Sequence, residues 1–268
     1  MVLTLPQQAN ILLFDSGVGG LSVYQEVCKE LPNANYIYLF DDKGYPYGEL
    51  DPDTLIERVN DMVRYATQRH RVDVIVIACN TASTIVLPSL RGSFSIPVVG
   101  VVPAIKPASL ISNIAVGLIA TPATVKRKYT QTLIKDYLSS VPIKLLGSTE
   151  LVDMAENKLK GKPVCMESLA CILRPLIGKI DVAVLGCTHF PLLRDEIKQV
   201  LGNKVLIIDS GAAIARRVVS LINYNHDMKS KREMVAYNSA SSKKEEALYI
   251  TFKKLGFGTI ETIPTQDV

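Results

Sequence analysis

Two short stretches of the chain have nearly the same sequence, and each leads into a cysteine. Residues 72–82 read VDVIVIACNTA and residues 180–190 read IDVAVLGCTHF, which places Cys79 and Cys187 108 residues apart. In both stretches an apolar run of strand type ends at the cysteine, and polar residues follow it. Two similar strands that carry a thiol at the same end indicate one site built from two half-sites.

The similarity extends to the strand-like runs on either side of each cysteine. ILLFDS ends at Ser16, 63 residues before Cys79, and VGLIAT ends at Thr121, 66 residues before Cys187. IPVVGVVPA follows the first cysteine and KVLIIDSGAA follows the second at a similar distance. Three runs in the same order predict a duplicated unit of domain size, although hydrophobic strands at such intervals also occur in α/β chains without duplication.

Strand patterns alternate with helical patterns along the chain. The strands are predicted at residues 10–15, 35–40, 72–78, 96–102, 114–120, 143–147, 181–186 and 204–208. This alternation is typical of βαβ units, which form parallel sheets covered on both faces. The predicted fold class is therefore α/β, with two pseudo-symmetric Rossmann-like or flavodoxin-like domains and the active site in the cleft between them.

The duplication also predicts the domain boundaries. Residues 1–98 together with residues 211–268 are expected to form the first α/β domain, which is discontinuous and carries Cys79. Residues 99–210 are expected to form the second α/β domain, which carries Cys187. Each domain would then supply one of the two thiols.

The last segment of the chain has no counterpart in either repeat. It contains a predicted helix over residues 211–223, a strand near residues 233–237 and a helix from Lys243 to Leu255. Because a short strand needs a sheet to join, we expect this segment to pack on the first domain.

Composition narrows the class of protein. Hydrophobic residues make up 48% of the 268 residues and charged residues 21%, which is ordinary for a globular chain. The net charge of +4 gives no nucleic-acid-binding footprint. No run approaches the roughly 18–20 apolar residues of a membrane span, and the N-terminus lacks the charged start of a signal peptide. Together with five cysteines in no paired spacing, this predicts a cytoplasmic protein with reduced thiols.

A cysteine on each side of a cleft suits proton transfer at one carbon atom. Ligands of parallel sheets bind beyond the carboxyl ends of the strands. The sequence places six candidate residues there, Asp15, Ser16, Cys79, Thr121, Cys187 and Asp209. If a thiolate removes a proton from one face and a thiol returns one to the other, the stereocentre inverts. A free cysteine titrates near about 8.5, so the thiolate needs support. The predicted helices after both cysteines offer it through their first amides.

The residues leave other interpretations of the cysteines open. Cys28, on the core face of a predicted helix, and Cys165 and Cys171, which follow no strand, are expected to be small buried hydrophobic residues. A zinc site is disfavoured because Cys187-x-His189 is one pair without a second. A hydrolase would use one cysteine with His189 as its base, but His189 is not expected to reach Cys187 easily from two residues away.

The glycine-rich turn DSGVGG after the first strand does not fit a nucleotide site. Ser22 stands where the GxGxxG pattern requires its third glycine, so no cofactor is expected there. The tight turn instead lets the end of the strand approach a ligand. An alternative from another class is a non-catalytic, two-lobed amino-acid-binding protein that uses the same cleft. Such a protein would tolerate serine at both thiol positions.

Four motifs together resemble those of the glutamate racemases, within the aspartate/glutamate racemase superfamily. They are FDSGVGGLSV, the PYGE of residues 46–49, ACNTAS and LGCTHFPLL, and the resemblance covers residues 10–217. Aspartate racemases typically carry glutamate where His189 stands, which places this chain on the glutamate side. The segment LLGSTELVDMAE lacks the cysteine–proline of many members and resembles the variant common in Gram-negative bacteria.

The resemblance implies both an activity and a set of site residues. Glutamate racemases are isomerases that make D-glutamate for peptidoglycan in the bacterial cell wall without a cofactor or a metal. The two motif cysteines, here Cys79 and Cys187, are implied to be the catalytic acid and base, assisted by Asp15 and His189. The implied substrate contacts are Asp15, Ser16, Tyr47, Gly48, Asn80, Thr81, Thr121, Thr188 and His189.

Further expectations follow from the same resemblance. Asp41 and Glu156 align with supporting acidic residues of the family. The neutral donors of the motifs suit an enzyme that must accept both enantiomers of a dicarboxylate. An aspartate or hydantoin racemase is the alternative within the superfamily. No nucleic-acid or membrane partner is expected, whereas a homodimer and activation by a cell-wall precursor are both compatible with the resemblance.

Overall fold

The computed structural model describes residues 8–222, 232–240 and 246–264. Residues 223 and 243–245, which the sequence assigns to helices, lie outside the described residues. Within the described ranges, no helix has the length and apolar character that are needed to cross a bilayer.

The strands of the described residues form two separate sheets, and every pairing within them is parallel. The strands are β1 (Asn10–Asp15), β2 (Asn35–Phe40), β3 (Val74–Ile77), β4 (Val98–Gly100), β5 (Val116–Ala120), β6 (Ile143–Gly147), β7 (Val182–Leu185), β8 (Leu206–Ile208), β9 (Met234–Asn238) and β10 (Ile260–Thr262). The predicted α/β class with parallel sheets is therefore confirmed.

The two sheets repeat one strand order. The first sheet has the order β10-β9-β2-β1-β3-β4, and the second has the order β6-β5-β7-β8. If β9 and β10 are set aside, each sheet places its first strand between its second and third, and its fourth strand at the edge. This is the flavodoxin-like order, and it makes β3 and β7, which precede the two motif cysteines, equivalent.

The helices cover both faces of each sheet. They are α1 (Leu21–Glu30), α2 (Pro52–Arg69), α3 (Asn80–Ser93), α4 (Ile105–Ile111), α5 (Pro122–Lys126), α6 (Lys128–Tyr137), α7 (Glu150–Leu159), α8 (Met166–Leu173), α9 (Arg194–Leu201), α10 (Gly211–Val219) and α11 (Glu246–Lys254), with a 3₁₀ helix at Phe190–Leu193. The apolar run of β1 shows why both faces need covering. Ile11 and Leu13 enter one hydrophobic core, and Leu12 and Phe14 enter another, because successive side chains of a strand point to opposite faces.

The last segment extends the first sheet. β9 pairs with β2, and β10, which the sequence did not predict, pairs with β9. Phe252 of α11 stacks on Phe40 of β2, with ring centroids 5.5 Å apart. The first sheet also contains β4, which runs to Gly100 and so past the predicted boundary after residue 98. The division into domains itself stays a prediction.

The prediction that Cys165 and Cys171 are buried is wrong, because both are exposed. α8 faces its core with Leu169 and Leu173 instead. Cys165 precedes the helix at its N-cap, and Cys171 lies on the solvent side. Cys28 is half-buried and packs against the core around β1.

Candidate active site

Both motif cysteines line one cavity of about 260 Å³. Cys79 follows the carboxyl end of β3 and Cys187 follows the carboxyl end of β7, so each sheet contributes one thiol. Other strand ends meet at the same place, with Ser16 after β1 and Thr121 after β5. The predicted site residues that line the cavity are Ser16, Tyr47, Gly48, Cys79, Asn80, Thr81, Thr121, Cys187, Thr188 and His189.

The side chain of Asp15 lies behind the cavity rather than in its lining. It is fully buried, and its two carboxylate oxygens accept hydrogen bonds from the backbone N–H groups of Ser16 and Gly20, at 2.8 and 2.6 Å. Burial raises the pKa of Asp15 to about 6, against the opposing effects of the His189 charge and of these two donors. The glycine turn thus closes around Asp15 and holds it beside Cys79.

Cys79 lies at the start of a helix. As the N-cap of α3, its Sγ accepts the backbone N–H of Ala82 at 3.5 Å, and Ser16 Oγ lies 3.6 Å away. Burial, together with the Asp15 charge, nevertheless raises the pKa of Cys79 to about 12. Burial and the nearby carboxylate therefore favour the protonated thiol at Cys79.

The side chains of Cys187 and His189 are in contact, although only one residue separates them in the sequence. Cys187 Sγ lies 3.8 Å from His189 Nδ1. The chain turns sharply here, because Phe190 N–H donates to the carbonyl of Cys187 at 3.1 Å and the 3₁₀ helix then begins. That turn brings two side chains separated by a single residue to the same cavity. This sharp turn is the special geometry that a contact between residues two apart requires.

His189 is held between a sulfur and a carboxylate. Its Nε2 lies 3.3 Å from Oε1 of Glu156 on α7, a charge contact without hydrogen-bond alignment. Burial works against protonation of His189, but the contacts with Cys187 and Glu156 raise its pKa to about 10. Burial also works against ionisation of Glu156, but the contact with His189 lowers the pKa of that carboxyl. At neutral pH an imidazolium therefore lies beside Cys187.

The two half-sites thus differ in charge, although their strands are equivalent. Cys79 faces a carboxylate and the start of a helix of 14 residues, whereas Cys187 faces a cation and only a 3₁₀ helix of four residues. A positive group next to a cysteine favours the thiolate. One side of the cavity therefore presents a protonated thiol beside a carboxylate, and the other presents a cysteine beside an imidazolium.

Tyr47 and Gly48 enter the cavity on a loop that follows β2. Tyr47 is 2% exposed, and its hydroxyl donates to Asp41 Oδ2 at 2.8 Å. Tyr47 therefore meets the cavity with its ring and backbone rather than with a free hydroxyl. A Cβ built on Gly48 would lie 3.0 Å from Cβ of Ala123, so this loop is close to the residues after β5.

The predicted hydroxyl and amide residues combine structural and binding roles. Thr121 is the N-cap of α5, where its Oγ1 accepts the N–H of Thr124 at 3.2 Å. Thr81 Oγ1 lies 3.2 Å from Thr124 Oγ1. Asn80 Oδ1 is buried without a hydrogen-bond partner among the described residues. Because buried polar atoms are normally paired, Asn80 is available to a bound ligand.

Several residues of the site had little or no signal in the sequence. Asp41 and Glu156 were marked only by family resemblance, and the structure shows their partners to be Tyr47 and His189. Ser22 was noted only for breaking a glycine pattern, yet its hydroxyl donates to the carbonyl of Thr188 at 2.7 Å. These contacts join segments far apart in the chain, which no local pattern predicts.

The comparison with known proteins by sequence and the comparison by structure agree, because both find racemases. Residues 12–218 match the family model described as Asp/Glu/Hydantoin racemase. A glutamate racemase of Vibrio cholerae serotype O1 is 59% identical over 256 residues, 96% of this chain and 97% of that protein. Escherichia coli glutamate racemase, crystallised with L-glutamate and the activator UDP-MurNAc-Ala, matches with a TM-score of 0.90 at 46% identity, covering 96% of this chain and 98% of that one. A glutamate racemase isoform of Bacillus anthracis matches with a TM-score of 0.80 at 27% identity, covering 96% and 98%.

Proposed function

The chain belongs to the Asp/Glu/Hydantoin racemase family, and we propose that it interconverts L- and D-glutamate by proton transfer between Cys79 and Cys187. The observation that carries the proposal is that the two thiols line one cavity from two different sheets. We also propose that the reaction takes place in the cytoplasm and supplies D-glutamate for peptidoglycan.

The reaction needs only one proton lost and one gained. The thiolate of one cysteine takes the α-hydrogen as a proton, and the C–H bonding electrons remain on the substrate as a carbanion next to the α-carboxylate. The thiol on the opposite face then gives its proton to the same carbon, which inverts the stereocentre. The two cysteines have exchanged protonation states, and exchange with solvent restores them.

The charges around the two sulfurs support this sequence of steps. His189 is positive at neutral pH, and its Nδ1 lies 3.8 Å from Cys187 Sγ, where it can stabilise negative charge that forms on this sulfur during the reaction. The negative charge of Asp15 disfavours a thiolate at Cys79. A substrate ammonium group close to Asp15 would offset that carboxylate, which makes it easier for Cys79 to release its proton or to carry charge in the reverse direction.

The donors of the cavity suit a dicarboxylate. Ser16, Asn80, Thr81, Thr121 and Thr188 line it with neutral hydroxyl or amide groups. Neutral donors hold an anion without fixing a single orientation, as an enzyme that accepts both enantiomers requires. We propose glutamate rather than aspartate or a hydantoin, because the relatives with high identity over nearly the whole chain are glutamate racemases.

In heavy water, the protein is expected to exchange the α-hydrogen of either glutamate enantiomer for deuterium and to bring both enantiomers to an equal mixture. Nuclear magnetic resonance measures the exchange, and circular dichroism measures the racemisation. Aspartate and a hydantoin serve as comparison substrates, for which we expect far slower turnover. Tight binding of glutamate without exchange would favour the two-lobed binding protein instead, and preferred turnover of aspartate would reassign the substrate.

The pH dependence of kcat/KM is expected to follow Asp15 and His189. Asp15 must be ionised to hold its backbone donors, so activity should rise as the pH passes about 6. His189 must be protonated to support Cys187, so activity should fall as the pH passes about 10. Asp15→Asn should change the acid limb and His189→Asn the alkaline limb. An alkaline limb that is unchanged in His189→Asn would mean that another group, such as the substrate amine, causes it.

The same proton on His189 contributes to stability. Its pKa is about 10 in the folded protein and 6.5 for an unperturbed histidine. Because the folded value is the higher one, the contribution is fully present below about pH 6.5 and is lost as the pH rises through about 10. The melting temperature should therefore fall less steeply over this range in His189→Asn than in the parent protein.

We propose further that a cell-wall precursor of the UDP-MurNAc-Ala type activates this protein, as that compound is the activator named for the Escherichia coli relative. We propose that the diphosphate of this compound binds in a cavity of about 400 Å³ beside β4, because Arg91 and Arg217 line that cavity. Each guanidinium donates to a neutral oxygen at 3.4 Å, of Val98 and of Ser220, and neither forms an ion pair within the described residues. Such groups suit phosphate binding.

Adding UDP-MurNAc-Ala is expected to raise kcat for both enantiomers. Arg91→Ala and Arg217→Ala should each weaken the response to this compound while leaving the basal rate unchanged, because neither residue lines the cavity between the thiols. Steady-state kinetics over a range of activator concentrations measures both quantities. A rate that does not respond would contradict the proposed activation, and a full response in both variants would contradict the assigned cavity.

A further inference from the structure

We propose that Arg58 is a positioning residue for the reaction, which acts through Asp41 to hold the loop of Tyr47 and Gly48 against the substrate cavity. The proposal rests on the proposed racemase function, because it assigns this loop a part in binding glutamate. Arg58 does not line the cavity, and none of the sequence motifs described above includes it.

The ion pair between Arg58 and Asp41 has the geometry of a strong contact. Arg58 Nε donates to Asp41 Oδ2 at 2.9 Å, and Arg58 Nη2 donates to Asp41 Oδ1 at 2.7 Å. Two parallel bonds from one guanidinium fix orientation as well as distance. The Asp41 side chain is fully buried and that of Arg58 is 24% exposed, so the pair is shielded from solvent more than a surface ion pair is.

The same carboxylate holds the loop at two further points. Tyr47 Oη donates to Asp41 Oδ2 at 2.8 Å, and the N–H of Gly44 donates to Asp41 Oδ1 at 3.2 Å. Burial and the Asp41 charge raise the pKa of Tyr47 well above its usual value, so its hydroxyl keeps the proton that it donates. Asp41 thus joins Arg58 to both the beginning and the cavity end of the loop.

The side chains of Asp41, Arg58 and Tyr47 pack closely against the backbone of Gly44. A Cβ built on Gly44 would lie 2.3 Å from Asp41 Oδ2, 2.8 Å from Arg58 Nε and 2.9 Å from Cε1 of Tyr47. The backbone at Gly44 is therefore folded directly onto the ion pair. A loop packed this closely around one carboxylate has to move if that carboxylate moves.

Arg58 lies on helix α2, whose position is fixed by its N-cap and by its buried face. The helix begins at Pro52 after the N-cap Asp51, whose side chain accepts two backbone N–H groups. Leu55 and Val59, on either side of Arg58 in the sequence, are fully buried in the hydrophobic core that also contains Tyr47. The guanidinium therefore projects from a rigid element, and the loop depends on it for its position.

Loss of Arg58 would leave the Asp41 charge buried without its counter-ion. Breaking a buried pair on one side is costly because the remaining charge is uncompensated. Burial by itself raises the pKa of Asp41, and the contacts with Arg58, Ser239 and Tyr47 together more than offset it, so that the pKa lies below its usual value. Without Arg58 the loop must open to hydrate the carboxylate, which displaces Tyr47 and Gly48 from the cavity. The unpaired charge would also repel the carboxylates of the substrate.

Arg58→Met is expected to raise KM for both glutamate enantiomers about tenfold while kcat changes less than about threefold, because the loop binds substrate but performs no proton transfer. Backbone hydrogen exchange of residues 42–49 should become faster, and exchange in the two sheets should not. The matched control is Arg64→Met on the same helix, where an exposed ion pair with Asp61 at 2.6 Å holds no loop. It should change neither KM nor the exchange of residues 42–49.

Two further variants separate positioning from general stability. Arg58→Lys keeps the charge but loses the paired bonds, so it should fold normally and raise KM by a smaller factor than Arg58→Met. The double variant Asp41→Asn with Arg58→Met removes the unpaired charge while an amide can still accept from Tyr47, so its KM should lie below that of Arg58→Met.

The outcomes distinguish this proposal from the function on which it rests. If the parent protein does not turn over glutamate, the racemase function fails, and the exchange of residues 42–49 alone then tests the contact. An unchanged KM in Arg58→Lys and Arg58→Met, with a lower melting temperature only, would overturn the positioning role. Faster exchange throughout the protein would overturn it too.

Discussion

Replacing either Cys79 or Cys187 by alanine is expected to lower glutamate racemisation by about 10²–10⁴-fold, the usual contribution of a positioned acid or base. In the proposed mechanism each thiol carries the proton for one face of the cavity, and no other cysteine lines it among the described residues. Removal of one therefore blocks the step on that face in both directions. Both cysteines are buried and small, so alanine should leave the fold intact.

Hydrogen exchange distinguishes the two variants. Each retains one base, so any residual exchange of the α-hydrogen in heavy water should be limited to one enantiomer, and the two variants should retain opposite enantiomers. This pattern would assign each cysteine to its enantiomer. Cys165→Ala is the control, because that thiol is exposed and outside the cavity. Normal racemisation by either active-site variant would refute the two-thiol mechanism.

The positions of the two cysteines could be predicted because they follow from local patterns. β3 and β7 are short apolar runs, and a residue directly after a parallel strand must lie at the carboxyl edge of its sheet. Equivalent strands then place Cys79 and Cys187 at equivalent edges. The same reasoning placed Ser16 and Thr121 correctly, since they follow β1 and β5.

The electrostatic partners could not be predicted in this way. Glu156 reaches His189 because α7 packs on the 3₁₀ helix, and Arg58 reaches Asp41 across a loop. These contacts depend on how elements pack in three dimensions, and a single sequence records only periodicity along each element. For the same reason the prediction that Cys165 is buried was wrong, because its burial depends on which face α8 presents to its core.

The contact between Cys187 and His189 also could not be predicted from their spacing in the sequence. His189 lies two residues after Cys187. Side chains with that spacing diverge in a helix, and in a strand they share a face but lie about 6.6 Å apart. At this point the chain is neither, because it is passing from β7 into the 3₁₀ helix. The contact between His189 and Cys187 is therefore set by turn geometry, for which the sequence gives no periodic signal.

Gly19→Ala is expected to lower kcat/KM about 100-fold, since a misplacement of about 1 Å at a reacting group can have that effect. A Cβ built on Gly19 would lie 2.3 Å from Nδ1 of His189 and 2.7 Å from its Cγ and Cε1. His189 lies between Cys187 and Glu156, so its ring cannot keep its observed position once the Cβ is added. Either the ring shifts away from Cys187 or the glycine turn moves out of the cleft, and both changes separate the imidazolium from the sulfur.

Gly17→Ala is the matched control in the same turn. Its added Cβ would lie 3.9 Å from Nε2 of His189, which is ordinary contact, so nearly full activity is expected. Kinetics across pH then identify the cause of the loss in Gly19→Ala, because the alkaline limb near pH 10 should change there, as is expected for His189→Asn. A variant with an alanine at residue 19 and parent-like rates would show that the imidazole does not need its observed position, and the support of Cys187 by His189 would then have to be abandoned.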